Sequence, residues 1–287
     1  MQIVYTINEV RQTVLEMKKQ GTRIGFVPTM GALHAGHGSL IEEAVAECDF
    51  VVVSIFVNPA QFGPGEDFQQ YPRNIEDDAA YCQKLGAGLV FAPSSQEMYP
   101  AEQLTWVQTE RLTKGLCGAT RPGHFKGVTT VCAKLFNIVQ ADAAYFGQKD
   151  AQQAVVIRRM VSDLNLPLEI KVCPIVRQAD GLAMSSRNRY LSPEQRKQAL
   201  CLYQALTHSK EQIASGQRQA ETLIEGMRQL IEQARGRIDY ISIVDPQTLV
   251  PLEQIEQKAL ILLAVYIGRT RLIDNLWIDL NEPGNLV

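Results

Sequence analysis

One short stretch of this chain combines two histidines and two glycines in a spacing suited to phosphate chemistry. The stretch reads Met30-Gly31-Ala32-Leu33-His34-Ala35-Gly36-His37. It lies between an apolar run at 24–27, typical of a buried strand, and a helical pattern over 38–48. The start of a helix offers unpaired backbone N–H groups and partial positive charge, and glycine lets the backbone approach a ligand.

The two histidines could therefore direct two ring N–H donors at phosphoryl oxygens that gain charge during a reaction. The alternative is that one histidine caps the helix while the other is an ordinary surface residue. Their spacing across a strand-to-helix turn favours a nucleotide site.

Three other polar stretches could share this chemistry. Gln61 lies in the loop after an apolar strand predicted at 50–57, and its amide suits a carboxylate or hydroxyl. Lys149 lies at the start of a helix predicted to reach Leu164. A positive charge there opposes the helix dipole, so this placement is unfavourable unless an anion binds nearby. Two hydroxyls and a guanidinium at Ser185-Ser186-Arg187 could grip a polyphosphate.

Each stretch also has an ordinary explanation. Gln61 alone reads as a loop glutamine, and Asp150 with Gln153 reads as a helix cap with its capping-box partner. The serines and arginine could form a solvated loop. Asp77 and Asp78, near the start of a helix predicted at 74–85, could meet a metal, although acids that stabilise the helix dipole are more common.

Strands and helices alternate from residue 24 to 175, which predicts an α/β fold of the Rossmann-like kind, a parallel sheet with helices on both faces. The loops carrying the histidines, Gln61 and Lys149 then share the carboxyl edge of one sheet, where such folds bind ligands. The pattern changes near Val176. Helices at 193–215 and 219–235 and strands near 238–244, 259–267 and 271–279 predict a smaller α+β domain. We therefore expect domains at 1–175 and 176–287.

Composition limits the function classes. A net charge of −3 over 287 residues gives no basic field for nucleic acid. No apolar run is long enough for a membrane span, and no signal peptide is visible. Six cysteines without a C-x-x-C pair read as reduced thiols, which points to the cytoplasm.

The motifs together resemble a known family. Residues 30–37 are similar to the His-x-Gly-His signature of the nucleotidylyl transferase superfamily, and four further blocks resemble the pantothenate synthetase family in their order along the chain. They are Phe56-Val57-Asn58-Pro59-Ala60-Gln61-Phe62, Arg121-Pro122-Gly123-His124-Phe125, Phe146-Gly147-Gln148-Lys149-Asp150 and Ser185-Ser186-Arg187-Asn188. Gln148 departs from the family, which usually has Glu at this position, but Lys149 and Asp150 are retained.

The resemblance implies a ligase that uses ATP and Mg²⁺ to join pantoate to β-alanine through pantoyl adenylate, releasing AMP and diphosphate. It also implies a homodimer. Separately, the position of residues 184–187 just past the domain boundary predicts that the second domain acts as a lid. Catalytic roles would fall to His34, His37, Lys149, Ser185, Ser186 and Arg187, with His37 either donating a proton or only supplying charge. ATP would meet Met30, Gly31, Ala32, Leu33, His34, Ala35, Gly36, His37, Gly147, Gln148, Lys149, Asp150, Val176, Met184, Ser185, Ser186 and Arg187. Gln61 and Gln153 would bind pantoate, with Gln61 also near β-alanine.

Without the resemblance, the residues alone predict an α/β enzyme acting at a nucleotide phosphate. Another nucleotidylyl transferase, or an ATP-sensing protein without catalysis, stays open at this level. No Mg²⁺ ligand is identifiable from the sequence.

Overall fold

The computed structural model describes residues 1–281 and divides the chain into two compact units. The first unit comprises residues 1–147 and 153–173, and the second comprises residues 148–152 and 174–281 of the described chain. The sequence predicted a boundary near Val176. The structure also groups residues 148–152 with the second unit, which no local pattern indicated.

Six parallel strands form the sheet of the first unit, in the order β1-β4-β3-β2-β5-β6. The strands are β1 (Gln2–Val4), β2 (Ile24–Thr29), β3 (Phe50–Ile55), β4 (Leu89–Phe91), β5 (Ala143–Gly147) and β6 (Glu169–Cys173). The helices are α1 (Ile7–Lys19), α2 (Ala35–Glu47), α3 (Ile75–Lys84), α4 (Ser95–Met98), α5 (Cys117–Thr120), α6 (His124–Val139) and α7 (Ala151–Asp163), of which α7 begins in the second unit.

Alternate residues of the strands pack into two separate apolar cores, one on each face of the sheet, as a sheet covered on both faces requires. Phe26 and Val52 pack with residues of α1, α6 and α7, whereas Val27 and Val53 pack with residues of α2 and α3. The predicted Rossmann-like parallel sheet is confirmed. Chain order reverses at β2, which pairs with β3 on one side and β5 on the other. The carboxyl end of β2 is therefore the expected ligand position.

The second unit is the predicted α+β fold. An antiparallel sheet of β7 (Arg237–Val244), β8 (Lys258–Ile267) and β9 (Thr270–Asp279) shares its apolar core with α9 (Cys201–Ala214) and α10 (Ala220–Gln233). A short α8 (Pro193–Gln198) begins with a capping box formed by Ser192 and Gln195.

Several predicted helix bounds were wrong. The helix expected over 193–215 is interrupted between α8 and α9, where Leu200 N–H bonds to Lys197 O in a tighter i→i−3 turn. Helix α6 begins at His124, after Gly123 in the left-handed region at φ 82°. The helix expected from residue 38 begins at Ala35, because His34 caps it.

Candidate active site

The turn after β2 is held by polar contacts to the strand beside it. The Thr29 hydroxyl donates to Ser54 O at 2.8 Å and accepts from Gly31 N–H at 3.1 Å. Gly31 has φ 81°, and a Cβ there would lie 2.8 Å from Asp78 Oδ2. Position 31 therefore needs glycine both for its backbone conformation and for the carboxylate packed against it.

Asp78 braces this turn. Its buried carboxylate accepts from Ala32 N–H and Leu33 N–H, both at 2.8 Å, so each oxygen holds one backbone donor of the motif. The sequence suggested that this acid either binds a metal or stabilises the helix dipole. Bracing the turn is a third role, which the sequence did not reveal. Charge-assisted bonds of this kind are among the stronger ones in proteins.

We expect Asp78→Asn to raise the KM for ATP and to lower the free energy of unfolding by about 1–3 kcal/mol. An amide oxygen can replace one acceptor, but its NH2 group would face the second N–H donor. Thermal melts and ATP kinetics check this, with Asp77→Asn as the control that removes the same charge from an exposed neighbouring position. A variant matching wild type in both readouts would remove the brace from this account.

His34 is the N-cap of α2, and its Nδ1 accepts from Gly36 N–H at 3.1 Å. An accepting Nδ1 carries no proton, so the neutral ring holds its proton on Nε2. His37 lies in the first turn of α2, with its ring 4.2 Å from that of His34 between centroids. The capping alternative is therefore correct for His34, and it makes Nε2–H the donor of this ring.

Gln61 contacts the motif turn from the segment that follows the neighbouring strand β3. It ends a 3-10 turn at Pro59–Gln61, is buried, and directs its Nε2 to the Met30 sulfur at 3.0 Å. Its Oε1 accepts from Asn58 Nδ2 at 3.1 Å, and Asn58 Oδ1 in turn accepts from the Tyr99 hydroxyl at 2.8 Å. Two of the predicted site stretches thus meet at the carboxyl edge of the sheet, as expected.

A cavity of about 330 Å³ lies at the carboxyl ends of β1, β4, β3 and β2. Met30, Gly31 and Asp78 line it, together with residues 72–75 and 92–95. This volume is at the small end of the range for ligand sites. The Asp78 brace therefore forms part of a cavity wall as well as part of the turn.

The second unit contains the predicted residues Gln148, Lys149 and Asp150, which form a 3-10 turn before α7. Asn275 on β9 is buried and donates to Gln148 O at 2.9 Å and Lys149 O at 3.0 Å. These bonds explain why residues 148–152 group with the second unit. Lys149 Nζ lies 3.8 Å from Asp150 Oδ2, a loose pair.

The predicted residue Val176 and the predicted residues 184–187 also lie in the second unit. Met184 N–H donates to Val176 O at 2.9 Å, so these two predicted ATP residues are neighbours. The loop expected at Ser185-Ser186-Arg187 is partly ordered as a 3-10 helix, Ser186–Tyr190. Ser185 caps it by accepting from Arg187 N–H at 3.3 Å. Capping thus gives Ser185 a structural role that the sequence analysis did not assign.

Gln153 lies in the first turn of α7 and belongs to the first unit, directly after the segment that groups with the second unit.

Within residues 1–281, no three His, Cys, Asp or Glu side chains gather as ligands for a metal ion. In the same described range, no helix has the length and apolarity needed to cross a bilayer.

Comparison with known proteins decides the family. The profile of the family described as pantoate–β-alanine ligase matches residues 2–277. The chain belongs to the pantoate–β-alanine ligase family. A pantothenate synthetase of Clostridium novyi (strain NT) is 56% identical over 277 residues, covering 96% of this chain and 98% of the relative.

Solved structures of the same family share the fold. Pantothenate synthetase from Thermus thermophilus matches with a TM-score of 0.92 at 48% identity, covering 96% of this chain and 99% of that one. Pantoate–β-alanine ligase from Francisella tularensis, complexed with β-γ ATP and β-alanine, matches with a TM-score of 0.78 at 36% identity, covering 96% of this chain and 97% of that one. The resemblance on which the sequence analysis relied is confirmed at the level of the family.

Proposed function

We propose that this chain condenses pantoate with β-alanine to give pantothenate, converting ATP to AMP and diphosphate. The observation that carries the proposal is the braced His-x-Gly-His turn at the carboxyl end of β2, in a member of the pantoate–β-alanine ligase family. A pantoate carboxylate oxygen attacks the α-phosphorus of ATP, and diphosphate leaves with the electron pair of the broken P–O bond. The β-alanine nitrogen then attacks the acyl carbon of pantoyl adenylate, AMP leaves, and the nitrogen loses a proton.

His34 and His37 would stabilise the charge that builds on the phosphate oxygens. His34 suits this role because its Nδ1 is committed to the helix cap, which fixes the ring with its proton on Nε2. In this proposal His37 supplies charge or a proton from the adjacent ring. Backbone N–H groups at the start of α2 would assist, as they do at other helix starts.

Gln61 would hold pantoate beside Met30, since its amide is fixed by Asn58 and lies at the turn. Gln153 would be a second pantoate ligand. The ATP-binding roles of Lys149, Ser185, Ser186 and Arg187 rest on the family resemblance, and each can be tested by its own substitution.

Mg²⁺ is proposed to enter with ATP as its phosphate complex. A magnesium ion bound mainly by phosphates and water needs only one or two carboxylates from the protein. Asp78 is a poor candidate for a Mg²⁺ ligand because both of its oxygens already accept backbone N–H groups.

We also infer that the enzyme is cytoplasmic and homodimeric. The location follows from the six cysteines, which stand outside any disulfide, and the homodimer follows from the family resemblance.

The test is a set of assays that follows ATP, AMP, diphosphate and pantothenate in the same reaction. We expect AMP, diphosphate and pantothenate in equal amounts, formed only when pantoate and β-alanine are both present at steady state. A stable product joining a nucleotide to a phosphorylated substrate would instead indicate another nucleotidylyl transferase. ATP binding without turnover of any acid would indicate a sensor.

A further inference from the structure

A chain of side-chain contacts in the first unit runs from Glu66 to the backbone of Gln61. Arg121 donates to both carboxylate oxygens of Glu66, from Nε at 2.9 Å and from the terminal NH2 nitrogen at 2.6 Å. Its other terminal nitrogen lies 3.0 Å from His124 Nε2. His124 Nδ1 lies 2.8 Å from Gln61 O. Arg121, which begins one of the blocks that resemble the family, is therefore paired with Glu66.

These contacts define the protonation of His124. A guanidinium can only donate, so His124 Nε2 must accept and carries no proton. A carbonyl oxygen can only accept, so Nδ1 must hold the proton and donate it to Gln61 O. This series of contacts therefore requires the neutral His124 ring with its proton on Nδ1.

Glu66 is the ionised end of the chain. Burial alone would raise the pKa of Glu66, but hydrogen bonds and charge from Arg121 outweigh it and hold that pKa below its ordinary value. Both Arg121 and Glu66 side chains are largely shielded, at 17% and 23% exposure. A pair of this kind orients a guanidinium more firmly than an exposed pair does.

Gln61 is thereby fixed at two points. His124 holds its backbone carbonyl, and Asn58 holds its side-chain oxygen while also donating to Gly127 O at 3.2 Å. The turn carrying Gln61 packs so closely on α6 that a Cβ at Gly127 would lie 2.2 Å from Ala60 O. His124 thus makes a polar contact from α6 to the residue proposed to hold pantoate.

We propose that His124 is a positioning residue for Gln61, kept in its Nδ1–H form by the Arg121 and Glu66 pair. This inference rests on the proposed function, because pantoate binding is the property that it explains. His124 does not touch the reacting atoms in this account. It sets the place and direction of the Gln61 amide, so its loss weakens pantoate binding while ATP binding is retained.

The test compares three variants at this position. In His124→Asn the side-chain amide reaches the place of Nδ1 and can still donate to Gln61 O, whereas His124→Gln reaches the place of Nε2 and His124→Ala reaches neither. We expect the KM for pantoate to rise about tenfold in the Gln and Ala variants and to stay within about threefold in the Asn variant. The KM for ATP should be unchanged in all three. His208→Asn, a change of the same type in α9, is the matched control.

Equal KM values for pantoate in wild type and His124→Ala would overturn the inference, as would a Gln variant better than the Asn variant. A uniform loss of folded protein in all three variants, seen in thermal melts, would make His124 merely structural. Calorimetric binding of pantoate to the same proteins separates the two proposals. If wild type binds pantoate but does not turn it over, the proposed function fails, and the binding series still decides the role of His124.

Discussion

Replacing His37 by alanine should lower kcat of the ligase reaction by about 10²–10³, the scale for losing one preorganised donor to a developing charge. His37 lies in the first turn of α2, beside His34, where a donor can reach phosphate oxygens at the helix start. Steady-state kinetics with saturating ATP, pantoate and β-alanine measure the effect. A folded His37→Ala enzyme with a rate near that of wild type would exclude this residue from catalysis.

His34 needs a different design because it has two roles. His34→Ala should lose the cap of α2, which costs about 1 kcal/mol of stability. It should also lower kcat by about 10²–10³, as the loss of His37 does. His34→Asn should keep the cap, since asparagine is a strong N-cap residue, but it removes the Nε2–H donor. We therefore expect the Asn variant to melt near wild type and to be as slow as the Ala variant. An Asn variant with full activity would reduce His34 to a cap.

Lys149→Ala should lower kcat/KM for ATP by about 10²-fold, the scale for losing one preorganised positive donor, while leaving the melting temperature unchanged or slightly raised. The charge of Lys149 opposes the dipole of α7, and its pair with Asp150 at 3.8 Å is too loose to stabilise the fold appreciably. Lys171→Ala is the control. Lys171 lies on the edge strand β6, where it pairs with Glu169 of the same strand and with Glu47 at the end of α2. A Lys149→Ala protein that unfolds, with its remaining folded fraction fully active, would make the lysine structural.

The sheet and the motif turn could be predicted because both have local signals. The residues of β3 are apolar nearly throughout, as a strand covered on both faces requires, and the turn after β2 combines glycines with histidines. The meeting of Gln61 with Met30 followed from the rule that loops after parallel strands share one edge. These parts of the candidate site needed no structure.

The supports of the site could not be predicted in the same way. Asp78 lies in the first turn of α3, where an acid ordinarily stabilises the helix dipole, and nothing local distinguishes one that reaches Ala32 and Leu33. His124 likewise acts over a long separation, through the carbonyl of Gln61. Asn275 did leave a signal, because it and Asp274 are two buried polar residues within an otherwise apolar run at 272–278. Such a pair indicates a buried polar contact, although its partner at residues 148–149 is not readable.

The central claim is that ATP activates pantoate before β-alanine acts. A carboxylate would have to lose oxide to an attacking amine, so the acid must first become an adenylate, and that half-reaction needs only ATP and pantoate. Exchange of labelled diphosphate into ATP tests this most directly. We predict exchange that requires pantoate and proceeds without β-alanine, and exchange that strictly demands β-alanine would contradict the stepwise account.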